Sequence, residues 1–299
     1  LPEPFELFER AVTLGCGSFF GIQLGWAISL IMVWTAFIKL EQSRAFMVTV
    51  RCRDRAFEQI AAILWDKDGT LADSHAFLSK LAKARSQALA SKFPSIRTPL
   101  MAAFGCADGQ YDAAGLMAVG TRYENEIAAA TYIAATGKPW AEAVSLAQVA
   151  FAESDRRFVR KADFTPPFSA IPELLRQGQQ QGLKQAVLSG DTTDNIADFL
   201  RRYDLHGAVD SWAGSEAPPV KPDPQMVWTA CEQLGILPEN CLVIGDSALD
   251  QQIARRSGCR GFVSVTWGGS PAIAGADAVL EQPQQCQMRT FNQPLKEQV

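Results

Sequence analysis

Two aspartates separated by one residue stand directly after an apolar stretch, in the segment ILWDKDGTLADS at residues 63–74. When both Asp66 and Asp68 are ionised they repel each other, and each tends to raise the pKa of the other. Gly69 follows them and lets the backbone turn sharply. A structural turn does not need two such charges. We therefore expect a positive charge beside the pair that holds both aspartates in the ionised form.

Three more polar stretches lie at or just beyond the ends of predicted strands. Open α/β folds bind ligands at this edge of the sheet, so these stretches are candidates for the same site. Each is ordinary by itself, because a lysine before proline is usually solvated and an aspartate after a strand often caps a helix. The stretches are SGD beginning at Ser189, VKPD with Lys221, and GDSALD with Asp246 and Asp250.

Short apolar runs alternate with helical patterns over most of the chain, which predicts a parallel sheet covered by helices on both faces. The predicted strands are 48–52, 60–65, 185–189, 241–245, 261–265 and 278–280. Helical patterns lie at about 171–181, 191–203, 224–234 and 249–257. The Ala-rich segment from 74 to 161 interrupts this alternation with helical patterns at 75–92, 121–135 and 139–160. The predicted fold is α/β, a Rossmann-like core with an inserted all-helical cap.

The four polar stretches, in this order, resemble the four motifs of the haloacid dehalogenase-like superfamily. The similarity extends over about residues 60–280 and is greatest to phosphatases with a helical cap, of the phosphoglycolate phosphatase type. Taken together the motifs are specific. The resemblance implies a Mg²⁺-dependent phosphatase that acts on a small phosphorylated metabolite through an aspartyl-phosphate intermediate.

The resemblance also implies a role for each motif residue. Asp66 would be the nucleophile, and Asp68 would protonate the leaving alcohol and then deprotonate water. Lys221 and Ser189 would contact the transferring phosphoryl group. The metal ligands would be Asp66, the backbone carbonyl of Asp68, and Asp246, with Asp250 supporting metal-bound water.

Several alternatives remain open at this stage. Asp68 disfavours the dehalogenases of the superfamily, which need no acid–base residue there. A phosphomutase resembling β-phosphoglucomutase shares all four motifs, and an inactive membrane-tethered scaffold is a further possibility. Phosphoglycolate is suggested as the substrate only by analogy, and Tyr111 or Arg122 of the cap could contact the substrate.

The composition excludes several classes of function. The formal net charge of −4 and the lack of a basic stripe argue against nucleic-acid binding. The seven cysteines contain no C-x-x-C pair, which favours reduced thiols in the cytoplasm. With only two histidines, a Ser-His-Asp triad or a multi-histidine metal site has little support.

The N-terminal segment stands apart, because residues 11–38 carry no charge and are long enough to span a bilayer. A membrane anchor, a buried helical hairpin and a non-native extension are all compatible with this pattern. The predicted domains are an extension at 1–46, a catalytic core at 47–73 and 162–285, a cap at 74–161 and a tail at 286–299. The core is expected in the cytoplasm, with membrane contact only through residues 11–38.

Overall fold

The computed structural model describes residues 47–290. It contains nine described strands in two sheets. The strands are β1 (Val48–Cys52), β2 (Arg55–Ile60), β3 (Ala62–Trp65), β4 (Lys184–Leu188), β5 (Ser211–Ala213), β6 (Cys241–Gly245), β7 (Gly261–Val265), β8 (Ala278–Leu280) and β9 (Cys286–Thr290).

Six of the strands form a parallel sheet in the order β5-β4-β3-β6-β7-β8. Every residue of β3, β6 and β7 is buried, as expected for strands covered on both faces. Alternate residues of β3 face opposite sides, so that Ile63 and Trp65 join one apolar cluster while Ala62 and Leu64 join another. The sheet therefore lies between two hydrophobic layers.

Nine described α-helices complete the fold, and four of them cover the parallel sheet. These four are α6 (Ile171–Gln180), α7 (Thr193–Arg202), α8 (Gln225–Leu234) and α9 (Ala248–Ser257). Leu175 of α6 and Phe199 of α7 pack in the cluster that contains Trp65. Val227 of α8 and Ile253 of α9 pack on the opposite face.

The remaining five helices form the insert between β3 and α6. They are α1 (His75–Ala90), α2 (Arg97–Ala103), α3 (Leu116–Val119), α4 (Arg122–Ala134) and α5 (Trp140–Asp155). Their buried side chains, among them Leu100, Phe104, Ile133 and Phe151, form an apolar cluster separate from those of the sheet. We call this helical layer the cap. The predicted fold class, a parallel α/β core with an inserted helical cap, is confirmed.

Three strands and two short helices depart from the sequence prediction. Strand β2 occupies residues 55–60, of which only residue 60 belonged to a predicted strand, and β5 was not predicted. The segment predicted as a tail from residue 286 begins with β9, which pairs with β1 in an antiparallel three-stranded sheet. In the cap, α2 and α3 lie between the helical patterns predicted at 75–92 and 121–135. The domain boundaries otherwise remain predictions.

The apolar segment at 11–38 lies outside the described residues. Within residues 47–290, no helix has the length and apolar character that a membrane crossing requires.

Candidate active site

The first two candidate residues follow β3 at the carboxyl edge of the parallel sheet. The backbone N–H of Asp66 donates to the carbonyl oxygen of Ile244 at 2.9 Å, which continues the pairing of β3 with β6. Gly69 then adopts a positive φ of 85°. A Cβ atom at this position would lie 2.2 Å from Oδ2 of Asp246. Only glycine fits this turn while Asp246 keeps its position.

Two more carboxylates follow β6, Asp246 in the turn after this strand and Asp250 in the first turn of α9. Ser247 caps α9, and the side chain of Asp250 completes a capping box by accepting hydrogen bonds from the backbone N–H and the hydroxyl of Ser247. The hydroxyl of Ser270 donates to Oδ2 of Asp246 at 2.6 Å. Both carboxylates are thus held by local hydrogen bonds and face the end of β3.

Lys221 links the two groups of carboxylates. Its Nζ atom donates to Oδ1 of Asp66 and to Oδ1 of Asp250, each at 2.6 Å. Burial lowers the pKa of Lys221, but the carboxylates of Asp250 and Asp66 outweigh burial and hold this pKa above its ordinary value. Lys221 is therefore a fixed positive charge beside Asp66.

The carboxylates of Asp66, Asp246 and Asp250 form the acidic cluster of the site, with one oxygen of each lying within 4.8 Å of the others. Burial raises the pKa of Asp66 to about 6, although Lys221 opposes the shift. Burial also raises the pKa of Asp246 well above its ordinary value, and its neighbours Asp66 and Asp250 add to this effect. The negative charge of the acidic cluster is therefore not balanced by the positive charge of Lys221 alone.

Three carboxylates with one ammonium group leave two negative charges uncompensated in a buried site. Carboxylate oxygens are the donors that Mg²⁺ prefers, and a divalent cation would balance the remaining charge. The residues present therefore fit a magnesium ion. Asp250 belongs to this cluster by distance, but its Oδ1 accepts from Lys221 and its Oδ2 from Ser247. This engagement favours Asp66 and Asp246 as the two direct carboxylate ligands.

Ser189 lies at the end of β4 and is buried. Its Oγ atom accepts a hydrogen bond from the backbone N–H of Asp191 at 3.1 Å. The hydroxyl hydrogen is thereby left to donate to another group. Ser189 lines the same cavity as Asp66, so a phosphoryl oxygen in that cavity is a suitable acceptor.

A second set of charges surrounds Asp68, and the sequence analysis gave no role to its lysines. Nζ of the fully buried Lys67 lies 2.8 Å from Oδ1 of Asp68 and 3.0 Å from Oδ2 of Asp191. Nζ of Lys161 donates to Oδ2 of Asp68 at 2.9 Å and to Oδ2 of Asp191 at 2.7 Å. Burial raises the pKa of Asp68, but Lys161 and Lys67 outweigh burial and lower this pKa overall. The positive charges expected beside the two aspartates are therefore three lysines.

The segment that carries Lys161 is tied to α7. Arg160 makes a two-bond ion pair with Asp198, each bond 2.8 Å long. On the other side of Lys161, the hydroxyl of Tyr203 donates to the carbonyl oxygen of Ala162 at 2.6 Å. These contacts fix the backbone of Lys161 against the core. The side chain of Lys161 also meets the cap, because its Nζ atom lies 5.7 Å from the ring centroid of Phe77 in α1.

The motif residues open into a cavity of about 660 Å³ between the sheet and the cap. Asp66, Asp68 and Lys221 lie in its wall on the core side, while Tyr111 and Arg122 lie in its wall on the cap side. The ring of Tyr111 packs on His75, the first residue of α1, with ring centroids 4.5 Å apart. Both cap residues that the sequence analysis named thus face the cavity.

Comparison with known proteins identifies the family to which the sequence is similar. The chain matches the family model of the haloacid dehalogenase-like hydrolases over residues 60–258. A phosphoglycolate phosphatase of Thiobacillus denitrificans is 33% identical over 97 residues, which cover 32% of this chain and 43% of that protein. The N-acetylmuramic acid 6-phosphate phosphatase of Pseudomonas aeruginosa is 30% identical over 138 residues, covering 44% of this chain and 60% of that protein. The chain thus aligns with about half the length of these relatives.

Solved structures agree with the fold. A crystal structure described as a predicted phosphoglycolate phosphatase from Haemophilus somnus superposes with a TM-score of 0.56 at 20% identity, covering 75% of this chain and 95% of the other. A family hydrolase from Deinococcus radiodurans with bound phosphate and sodium has a TM-score of 0.50 at 20% identity, covering 76% and 93%. At this identity the likeness concerns the fold alone.

Proposed function

The chain belongs to the haloacid dehalogenase-like hydrolases, and from this premise we propose that it is a Mg²⁺-dependent phosphatase acting on a small phosphorylated metabolite. The observation that carries the proposal is the bridge from Lys221 to Asp66 and Asp250 beside Asp246. It combines a candidate nucleophile, a fixed cation and a set of oxygen donors suited to a divalent metal. When bound, the metal would neutralise charge on the phosphoryl group.

Asp66 is proposed as the nucleophile of the first step. A carboxylate oxygen of Asp66 forms a bond to phosphorus as the bond from phosphorus to the leaving alcohol breaks. The ammonium group of Lys221, 2.6 Å from Oδ1 of Asp66, stabilises the negative charge that gathers around phosphorus. Ser189 donates its hydroxyl hydrogen to a phosphoryl oxygen. The product of this step is an aspartyl-phosphate at residue 66.

Asp68 is proposed as the general acid and base. Before the first step Asp68 takes up a proton from solvent, against the lowering of its pKa by Lys161 and Lys67, and it then gives this proton to the leaving alcohol. In the second step its carboxylate takes a proton from water while the water oxygen attacks phosphorus, and Asp66 is released as a carboxylate. Lys67 and Lys161 hold both carboxylate oxygens of Asp68 and so fix the direction of this proton transfer. They are positioning residues in this mechanism.

The test is phosphate release from an aryl phosphate by the full chain. We expect turnover with Mg²⁺, loss of turnover with a chelator, and loss of turnover in Asp66→Asn. Asp210→Asn is the matched control, because Asp210 pairs with Lys184 at the surface, away from the cavity. Full turnover in chelator would contradict the metal assignment, and normal turnover in Asp66→Asn would contradict the covalent mechanism. Isomerisation of a sugar phosphate without net phosphate release would instead support the phosphomutase alternative.

A further inference from the structure

The cap side of the cavity carries a charge-balanced group of polar residues that the proposed chemistry does not use. Nη2 of Arg85 donates to Oδ1 of Asp155 at 3.0 Å. Nε of Arg122 donates to Oε1 of Glu126 at 2.8 Å, and Nη1 of Arg122 also bonds to Asp155. All four residues line the cavity. We call them the cap polar cluster, in which two positive charges meet two negative charges.

The ion pairing of the basic side chains in the cavity wall restricts the charge that the leaving group of the substrate can carry. Each lysine and arginine among the described residues of the cavity wall is already ion-paired: Arg85 and Arg122 in the cap polar cluster, Lys161 with Asp68, and Lys221 with Asp66. The wall as a whole has eight acidic side chains and four basic ones. The buried Lys67, which pairs with Asp68 and Asp191, offsets one of these charges and a bound divalent cation two more, so one negative charge remains in excess. A leaving group with its own carboxylate would therefore meet repulsion and no unpaired cation.

Hydroxyl groups suit the same wall better, because a hydroxyl both donates and accepts hydrogen bonds. The side chain of Asn125 is 2% exposed, and its amide nitrogen donates to the carbonyl oxygen of Thr121 at 2.8 Å. Its Oδ1 atom, the Nε atom of Arg85 and the hydroxyl of Tyr111 make no hydrogen bond within the described part of the chain. Buried polar groups without partners are unfavourable, so a ligand that satisfies some of them gains affinity.

The size of the cavity also favours a leaving group larger than that of phosphoglycolate. Its volume of about 660 Å³ lies within the range of about 300–1,000 Å³ that is typical of sites for drug-sized ligands. A two-carbon alcohol would leave most of this space to water. Phe77, Leu81 and Met117 add an apolar part to the cap wall, which suits the carbon face of a ring.

We propose that the substrate is the phosphate ester of an uncharged, hydroxyl-rich alcohol of sugar size, and that Arg122, Glu126 and Asn125 of the cap recognise it. This inference rests on the proposed phosphatase function, and it disfavours phosphoglycolate as the substrate. The cap polar cluster then serves as the specificity determinant, while the core residues act on the phosphoryl group common to all substrates.

The experiment measures kcat/KM of the full chain for an aryl phosphate, 2-phosphoglycolate, and hexose and pentose phosphates. We expect at least one sugar phosphate to exceed 2-phosphoglycolate by about 10-fold or more, because a site built to bond hydroxyl groups rejects ligands that lack them. If the aryl phosphate is hydrolysed and no sugar phosphate exceeds 2-phosphoglycolate, the inference is wrong while the proposed function stands. If none of these esters releases phosphate, both are wrong.

Two matched variants test whether Arg122 recognises the leaving group of the substrate. Arg122 and Lys138 each form an ion pair with a glutamate four residues further on, and the two basic side chains are similarly exposed. Only Arg122 lines the cavity. In Arg122→Gln we expect the ratio of kcat/KM for the preferred sugar phosphate to that for 2-phosphoglycolate to fall about 10-fold or more, mainly through KM. In Lys138→Gln the ratio should be that of the unmodified chain. An unchanged ratio in Arg122→Gln would overturn the assignment of Arg122.

Discussion

Replacing Lys221 by methionine tests the bridge at the centre of the site. The change keeps a long side chain but removes the ammonium group, whose two hydrogen bonds to Asp66 and Asp250 are each 2.6 Å long. Hydrogen bonds to charged groups contribute about 1.5–3 kcal/mol each. Removing one partner of a buried ion pair costs about 3–5 kcal/mol, because the carboxylates left behind are buried without compensation. We expect Lys221→Met to lower the free energy of unfolding by about 3–5 kcal/mol.

The assay is urea unfolding of the metal-free full chain at about pH 7.5, with the free energy extrapolated to water. Lys184→Met is the control, because Lys184 forms an ion pair with Asp210 at a similar distance of 2.7 Å but is half exposed. Exposed ion pairs contribute about 0–1 kcal/mol, so this variant should be nearly as stable as the unmodified chain. Equal losses in the two variants would refute the reasoning that the Lys221 bridge is buried and charged.

The stability loss caused by Lys221→Met should also depend on pH in a defined direction. The folded pKa of Lys221 lies above its ordinary value of 10.5, so Lys221 stays protonated at neutral and acid pH, and its own titration does not change stability there. The folded pKa of Asp66 is raised from 3.8 to about 6, so the ionised form of Asp66 costs stability as pH rises through this range. Without Lys221 this cost grows. The loss caused by Lys221→Met should therefore shrink as pH falls to about 5, and adding Asp66→Asn should reduce the loss at neutral pH. A loss independent of pH would contradict the account.

Three other perturbations have defined outcomes. Gly69→Ala places a Cβ atom 2.2 Å from Oδ2 of Asp246 at a positive φ, so chemical unfolding should show a loss of about 1–3 kcal/mol, and Mg²⁺ should no longer stabilise the variant. Lys161→Gln removes a charge that lowers the pKa of Asp68, so the optimum of the pH–rate profile should move to higher pH. Lys161→Arg keeps the charge, so the optimum should stay at the pH of the unmodified chain. Mg²⁺ at about 100 times its Kd should add about 2.7 kcal/mol of stability to the unmodified chain. This gain, followed as the rise in Tm, should shrink below a pH of about 6 as Asp66 takes up a proton.

The parts of the fold that local pattern determines were predictable. Strands β6 and β7 have the predicted bounds, because a short apolar run between turn residues is what a doubly covered strand requires. The edge strand β8 also has the predicted bounds, although only Leu280 in it is buried. Strands β2 and β9 were missed. In β2 only Phe57 and Ile60 are buried, and β9 pairs with β1 from the opposite end of the chain. Such strands depend on distant partners that local composition does not reveal.

In the site, too, the residues placed by local pattern were predictable and those placed by distant partners were not. Asp66 and Asp246 directly follow predicted strands and Ser189 ends one, so the parallel sheet alone predicts that they meet at one edge. Lys67 and Lys161 have no comparable signal, since lysines in turns and linkers are usually solvated. Their burial results from tertiary pairing with Asp191, which lies far from both in the sequence. An unusual lysine between two aspartates of a buried turn was the one available clue.

The identity of the phosphorylated residue tests the central claim most directly. The full chain is mixed with an aryl phosphate and Mg²⁺, quenched in acid during turnover and treated with borohydride, which reduces an aspartyl-phosphate to homoserine. Mass spectrometry of the peptide that contains residues 63–70 then locates the change. The account predicts homoserine at position 66 and an unmodified aspartate at position 68. Phosphate release with homoserine at another position, or at none, would contradict the assignment of Asp66 as the nucleophile.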